Sequence, residues 1–188
     1  MDCAHHTGPV VNLEHRALWI VGDAPEDPLI PPIAKETVVR EGSDLTIVDA
    51  SLMVLEAVLA AELLRKSGIS AEIVDLRCIR PKGECTILAS VKKTGRLIAT
   101  VTRWRLCGIA REVGARAAEK AFFYSKAPVR RITLANCSAP VSAPMEKAFC
   151  PTVKTIVDVA LDLMERSSVT VGDIGIEDNF VGPYQLSR

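Results

Sequence analysis

Two short apolar runs with a long apolar helix between them constrain this chain more than any other feature. Val38–Pro81 reads VVREGSDLTIVDASLMVLEAVLAAELLRKSGISAEIVDLRCIRP. The charged turn Arg40-Glu41-Gly42-Ser43-Asp44 leads into a first strand, and Ser67-Gly68 closes the helix. A second β-branched strand ends in Asp75-Leu76-Arg77, with Pro81 soon after. This is a βαβ unit, and its crossover requires a parallel sheet covered by helices.

The same rhythm continues. Strands are predicted over 45–50, 71–77, 97–102 and 129–134, and helices over 52–66, 84–93, 108–123 and 152–166. Gly95 supplies the left-handed residue that ends the second helix. In the last helix Val153, Ile156, Val157, Ala160, Leu163 and Met164 recur at the spacing of one buried stripe. Four strands alternating with helices give a three-layer α/β/α sandwich on a mostly parallel sheet. Residues 9–14 read as a short strand of a preceding unit, and Gly22–Pro32, with four prolines and three acids, reads as a linker. The expected organisation is therefore 1–32, the end of another domain plus linker; 33–166, the α/β domain; and 167–188, a tail with no assigned element. The loop after the fourth strand is expected to run to Pro144.

Composition narrows the function. Apolar residues make up 48% of the 188 and aromatics only 4%, so aliphatic side chains must fill the core. Lys plus Arg and Asp plus Glu number 23 each, a balance that leaves no footprint for nucleic acid or an anionic membrane. No apolar run spans a bilayer, since Leu52–Leu64 is short and interrupted by Glu56 and Glu62. The first residues lack the basic and apolar regions of a secretory signal. The six cysteines form no CxxC pair and read as reduced thiols of a reducing compartment.

Signatures of chemistry are scarce. There is no Gly-x-Gly-x-x-Gly, no Walker loop, no Gly-x-Ser-x-Gly and no His-Glu-x-x-His. His5, His6 and Cys3 read as a frayed terminus before they read as a metal site, and His15 as a hydrogen-bonded strand end before a general base. Cys107 has two readings, a thiol activated at a helix start or a small residue at a tight turn. Asp75 and Arg77 stand where open α/β sheets place ligands, although an ion pair or an anchor for the next loop is the favoured reading. Arg103, Trp104 and Arg105 follow the third strand, and Arg111 lies in the next helix. These groups suit either a bound anion or a subunit contact, and the contact is the favoured reading.

An ordered series of segments resembles one family. Glu14–Leu18, Val39–Val48, Asp75-Leu76-Arg77, Pro81 and Ser90–Arg96 are similar to the beta subunit of thiamine-diphosphate-dependent 2-oxo acid dehydrogenases, of pyruvate, branched-chain and acetoin type. The likeness runs from about Pro9 to Met164 and implies a transketolase-type C-terminal domain, preceded by the last strand of a pyrimidine-binding domain. In that family the alpha subunit binds the diphosphate and magnesium, and the beta subunit's N-terminal domain supplies the activating glutamate. The resemblance starts after that region. It implies that this chain alone has no catalytic, cofactor-binding or metal residues, although the parent enzyme uses thiamine diphosphate and magnesium. Expected partners are an alpha-type subunit, a second beta-type subunit and the acyltransferase core, with neither nucleic acid nor membrane. The expected compartment is the cytoplasm, or the mitochondrial matrix in a eukaryote.

The departures from the family pattern lie in loops. Val101-Thr102 replace paired glutamates, and Arg105-Leu106-Cys107-Gly108-Ile109-Ala110-Arg111-Glu112 keeps only Arg105, Gly108 and Glu112 of the following motif. After the fourth strand Pro140 alone is kept. The interface or anion-binding candidates are thus Asp75, Arg77, Arg103, Trp104, Arg105, Gly108, Arg111, Glu112, Pro140 and Glu146. Three functions remain open at this point: an assembly part of a decarboxylating dehydrogenase, a stand-alone small-ligand or regulatory module, and a pseudo-subunit.

Overall fold

A computed structural model describes residues 7–13, 15, 18, 35–80 and 84–165. Five strands form one sheet in the order β1-β3-β2-β4-β5. β2 (Leu45–Asp49), β3 (Ala71–Asp75), β4 (Leu97–Trp104) and β5 (Arg130–Leu134) are mutually parallel. The edge strand β1 (Thr37–Arg40) runs antiparallel to β3, with a register irregularity between Val38 and Arg40. The helices are α1 (Leu52–Lys66), α2 (Cys85–Thr94), α3 (Ile109–Ala121), α4 (Ala143–Phe149) and α5 (Val153–Leu163).

Two apolar clusters show why the chain alternates as it does. Leu45, Ile47, Ala71, Ile73, Ile98 and Ile132 face α1 and α5, whereas Val48, Val74, Leu97, Ala99 and Val101 face α2 and α3. Strand side chains alternate between faces, so continuously apolar strands must be covered on both. The α/β/α expectation holds. The resulting order reverses at β2: β3 lies on one side, and the chain crosses to β4 on the other. The carboxyl ends of β2 and β4 therefore flank a topological switch point.

Several expectations need correction. β3 ends at Asp75, and Arg77 turns away with φ 52°. β4 extends to Trp104, so Arg103 and Trp104 belong to the strand. β1 was not expected, because Thr-Val-Val-Arg is only four residues long and runs straight into the Arg40–Asp44 turn. α4 begins inside the segment expected to be loop up to Pro144; Pro144 within its first turn is a helix-compatible proline, not a breaker. Residues 9–13 carry no regular structure, so the expected strand is not found among the described residues. Cys3, His5, His6, Pro81, the 22–32 linker and the 167–188 tail lie outside the described residues.

The amino end of the sheet is tightly satisfied. Asp44 accepts from Ser70 N at 2.7 Å, and the hydroxyls of Thr46 and Thr94 meet at 2.8 Å. The carboxylate of Glu72, fully buried, pairs with Lys93, which also donates to Glu41 at 2.7 Å. Gly42 N donates to Glu72 Oε2 at 3.3 Å. Gly95, at φ 77°, ends α2 and donates to Val91 O at 2.8 Å. As expected, only a residue free to adopt this left-handed conformation fits there.

Candidate functional site

The carboxyl end of the sheet contrasts with this. Five buried polar atoms among the described residues lack a hydrogen-bond partner, and four belong here: Glu36 Oε1, both carboxylate oxygens of Asp49, and Thr100 Oγ1. The fifth, Arg96 Nε, is at the amino end, where the same guanidinium donates to Asp44 O at 3.4 Å. Three non-glycine residues with positive φ follow successive strands at this edge: Ser51 (60°), Arg77 (52°) and Cys107 (55°). Such backbone costs about 1–3 kcal/mol per residue and concentrates at functional sites.

The candidate residues divide into three groups. Asp75 and Arg77 engage each other: Arg77 N donates to Asp75 Oδ1 at 2.9 Å, and the guanidinium lies 4.0 Å from Asp75 Oδ2. Arg77 Nη1 also reaches Thr37 Oγ1 at 3.1 Å, tying β1 to the end of β3. Burial raises the pKa of Asp75, opposed by the Arg77 amide and guanidinium.

Arg103, Gly108, Arg111 and Glu112 come together with Ile79 and Cys107 around an open cavity of about 470 Å³. The cavity exists because β4 ends beside the first turn of α3, whose N-terminal residue Gly108 is extended and buried. A Cβ at Gly108 would lie 2.8 Å from Trp104 O. Gly108→Val is thus expected to lower stability by about 1.5 kcal/mol, the scale of overpacking and of an added branch at a tight turn. A urea midpoint unchanged in the variant would refute the close approach. Glu112 pairs with Arg116 at 2.5 Å, and among the described residues no ion pair neutralises the cavity's two arginines.

Arg105 lines a different cavity, of about 510 Å³, with Arg131, the end of β5 and residues of α4 and α5. The crescent expected from Asp75, Arg77, Arg103, Arg105 and Arg111 is therefore divided. Pro140, half-buried, and Glu146, on α4, line neither cavity. Trp104 stands 53% exposed, with Leu106 and Ile79 similarly bare on the same edge. Across the described residues no three His, Cys, Asp or Glu side chains gather as a metal site.

Sequence reasoning missed Asp49, Thr100 and Glu36. Asp49 carried a usable signal: it shares parity with Leu45 and Ile47, both of them core residues, at the end of a largely apolar strand. Asp49 and Asp75 are register partners on adjacent parallel strands.

A parallel sheet wound on both faces, with an antiparallel edge strand and a polar switch point, defines a doubly covered α/β domain. Residues 34–156 match the family described as "Transketolase, C-terminal domain". The chain belongs to that family. Against the pyruvate dehydrogenase E1 component subunit beta-1, mitochondrial, of Arabidopsis thaliana it is 41% identical over 164 residues, covering 85% of this chain and 45% of the relative. Against the acetoin:2,6-dichlorophenolindophenol oxidoreductase subunit beta of Cupriavidus necator it is 36% identical over 158 residues, covering 84% and 47%. Against the pyruvate dehydrogenase E1 component subunit beta of Bacillus subtilis the identity is 38%, covering 84% and 49%. The chain thus spans about half the length of these relatives. A solved "Split gene transketolase, inactive beta4 tetramer" shares the fold with a TM-score of 0.61 at 22% identity, over 78% of this chain and 46% of that one.

Proposed function

We propose that this chain is the C-terminal part of a beta-type subunit of a thiamine-diphosphate-dependent 2-oxo acid dehydrogenase and serves assembly, the reacting centre lying on other polypeptide. Its partners in this reading are an alpha-type subunit and a second beta-type subunit. Thiamine diphosphate and magnesium belong to the parent enzyme. The division into a 33–166 domain with a preceding linker and a following tail is part of the same reading.

The observation that carries it is the state of the carboxyl edge. Exposed Ile79, Trp104 and Leu106 are interleaved with Arg103, Arg105 and Arg111, none of which forms an ion pair within the described fold. Aromatic and arginine side chains at a bare edge have the composition of interface anchors.

The test is size-exclusion chromatography with mass analysis, with and without an alpha-type subunit of the pyruvate or acetoin type, beside a thiamine diphosphate titration. A mixed complex, and no coenzyme uptake by the isolated chain, are expected. Stoichiometric uptake by the chain alone, or no complex with either alpha type, defeats the proposal. Within such a complex Trp104→Ala should weaken association about tenfold, in the range of a moderate interface anchor. Arg105→Ala should weaken it less and leave monomer stability within about 0.5 kcal/mol, as an exposed position does. Sedimentation velocity that shows both variants associating like wild type moves the contact off this edge.

A further inference from the structure

Asp49 is the one described acid that is fully buried with both oxygens unpartnered, and nothing in the assembly reading uses it. Strand register fixes its surroundings. Across β3 the residue opposite is Asp75. Across β4, one step beyond the paired Val48 and Ala99, is Thr100, also fully buried. All three share the parity of Ile47, Ile73 and Ile98, so they face α1 and α5. The Thr100 hydroxyl is near enough to favour the ionised form of Asp49 somewhat, yet neither group makes a hydrogen bond of normal geometry.

Among the described residues no cation compensates Asp49. From β3 the charged neighbours are Asp75 and its own partner Arg77. The first turn of α1 carries no charged side chain, and its first acid, Glu56, accepts from Val153 N at 2.9 Å. On α5, Lys154 bonds Asp158 at 2.6 Å at the surface, and Asp162 pairs with Arg130 at the far end. Two carboxylates in register on adjacent strands repel, and a buried unpaired charge costs far more than a neutral carboxylic acid. The ionised partner must be the one with the guanidinium and the amide, which is Asp75.

We propose that Asp49 and Asp75 hold one dissociable proton between them and act as a pH-sensitive latch on the carboxyl edge of the sheet. With the proton on Asp49, its side chain stays sealed beneath α1. Surrendering that proton to solvent leaves a second negative charge that must draw in water where β2 turns through Ser51 into α1. Burial, then the charge of Asp75, both push the Asp49 pKa well above the ordinary carboxyl range. A raised folded-state pKa means that the folded form binds the extra proton. The contribution to stability is therefore complete below the ordinary carboxyl range and is lost as pH rises toward the folded-state value.

Asp49→Asn keeps the shape and cannot ionise. In urea titrations from pH 4 to pH 8 the unfolding constant of wild type relative to Asp49→Asn should rise with pH, by up to about tenfold per unit, the linkage limit for one proton. A ratio that stays constant overturns the proposal. On wild type itself, ¹³C carboxyl NMR should show one aspartate titrating above the ordinary carboxyl range, and Asp75→Asn should move its titration to lower pH. All aspartates titrating within the ordinary carboxyl range, or a titration unmoved by Asp75→Asn, also overturn it. The latch has its own readout, since Leu76 N donates to Asp49 O at 2.9 Å. Once Asp49 ionises, exchange of that amide should accelerate in wild type beyond its rate in Asp49→Asn at the same pH. Equal rates sink the latch even if the shared proton is found.

Discussion

Gly42→Ala is expected to destabilise the domain by roughly 3 kcal/mol, toward the upper end for overpacking. A Cβ at Gly42 falls on the backbone carbon of Ala71 and the amide nitrogen of Glu72, and 2.7 Å from Ala71 O. These are main-chain atoms of β3, the strand that binds β2 on one side and β1 on the other. No side chain can swing away to relieve the overlap. The turn between β1 and β2 must lift, which lengthens the Gly42 N to Glu72 contact and disturbs the Ser43 N and Asp44 N bonds to Ser70 O, 3.1 and 2.9 Å. Chemical denaturation followed by circular dichroism measures this. A loss under about 1 kcal/mol would falsify the close approach.

The second large effect is expected at Lys93, where Lys93→Met should cost about 2 kcal/mol. The ion pair with Glu72 joins a half-exposed ammonium to a carboxylate that is 1% exposed. Removing one member of a fully buried pair costs about 3–5 kcal/mol, because the remaining charge is stranded, and exposure of the ammonium reduces that figure. Glu41 shares the same ammonium, and the two carboxylates together raise the Lys93 pKa. A Glu72→Gln background separates pair from packing. If stranded charge is the cause, Lys93→Met should become nearly neutral there, and an undiminished cost would assign the effect to the aliphatic stem instead.

These two positions lie at the amino end of the sheet, and their energetics explain why that end was readable. The turn Arg40–Asp44 and the Thr94-Gly95 helix end consist of residues whose local chemistry specifies their conformation. The carboxyl end is different. Arg103, Arg105 and Arg111 sit close together in the sequence, and i, i+2 logic groups Arg103 with Arg105. The structure sends Arg103 and Arg105 to separate cavities, because β4 continues through Trp104 and the chain then turns at Cys107. Arg77, expected inside the strand over 71–77, lies past its end and folds back on Asp75 and Thr37, making the ion pair that the sequence favours. Each displacement arises just past a strand's end, where ladder hydrogen bonds no longer dictate side-chain direction.

The sequence by itself determined the layered architecture, the mostly parallel sheet and the family. Apolar periodicity and capping residues are local signals, and each agrees with the fold as a whole. Only the tertiary structure decided the antiparallel edge strand, the helix at Pro144, and the meeting of Asp49, Asp75 and Thr100. Those residues are separated by dozens of positions, and what joins them is strand register. Register is a long-range agreement among side chains that no single segment encodes.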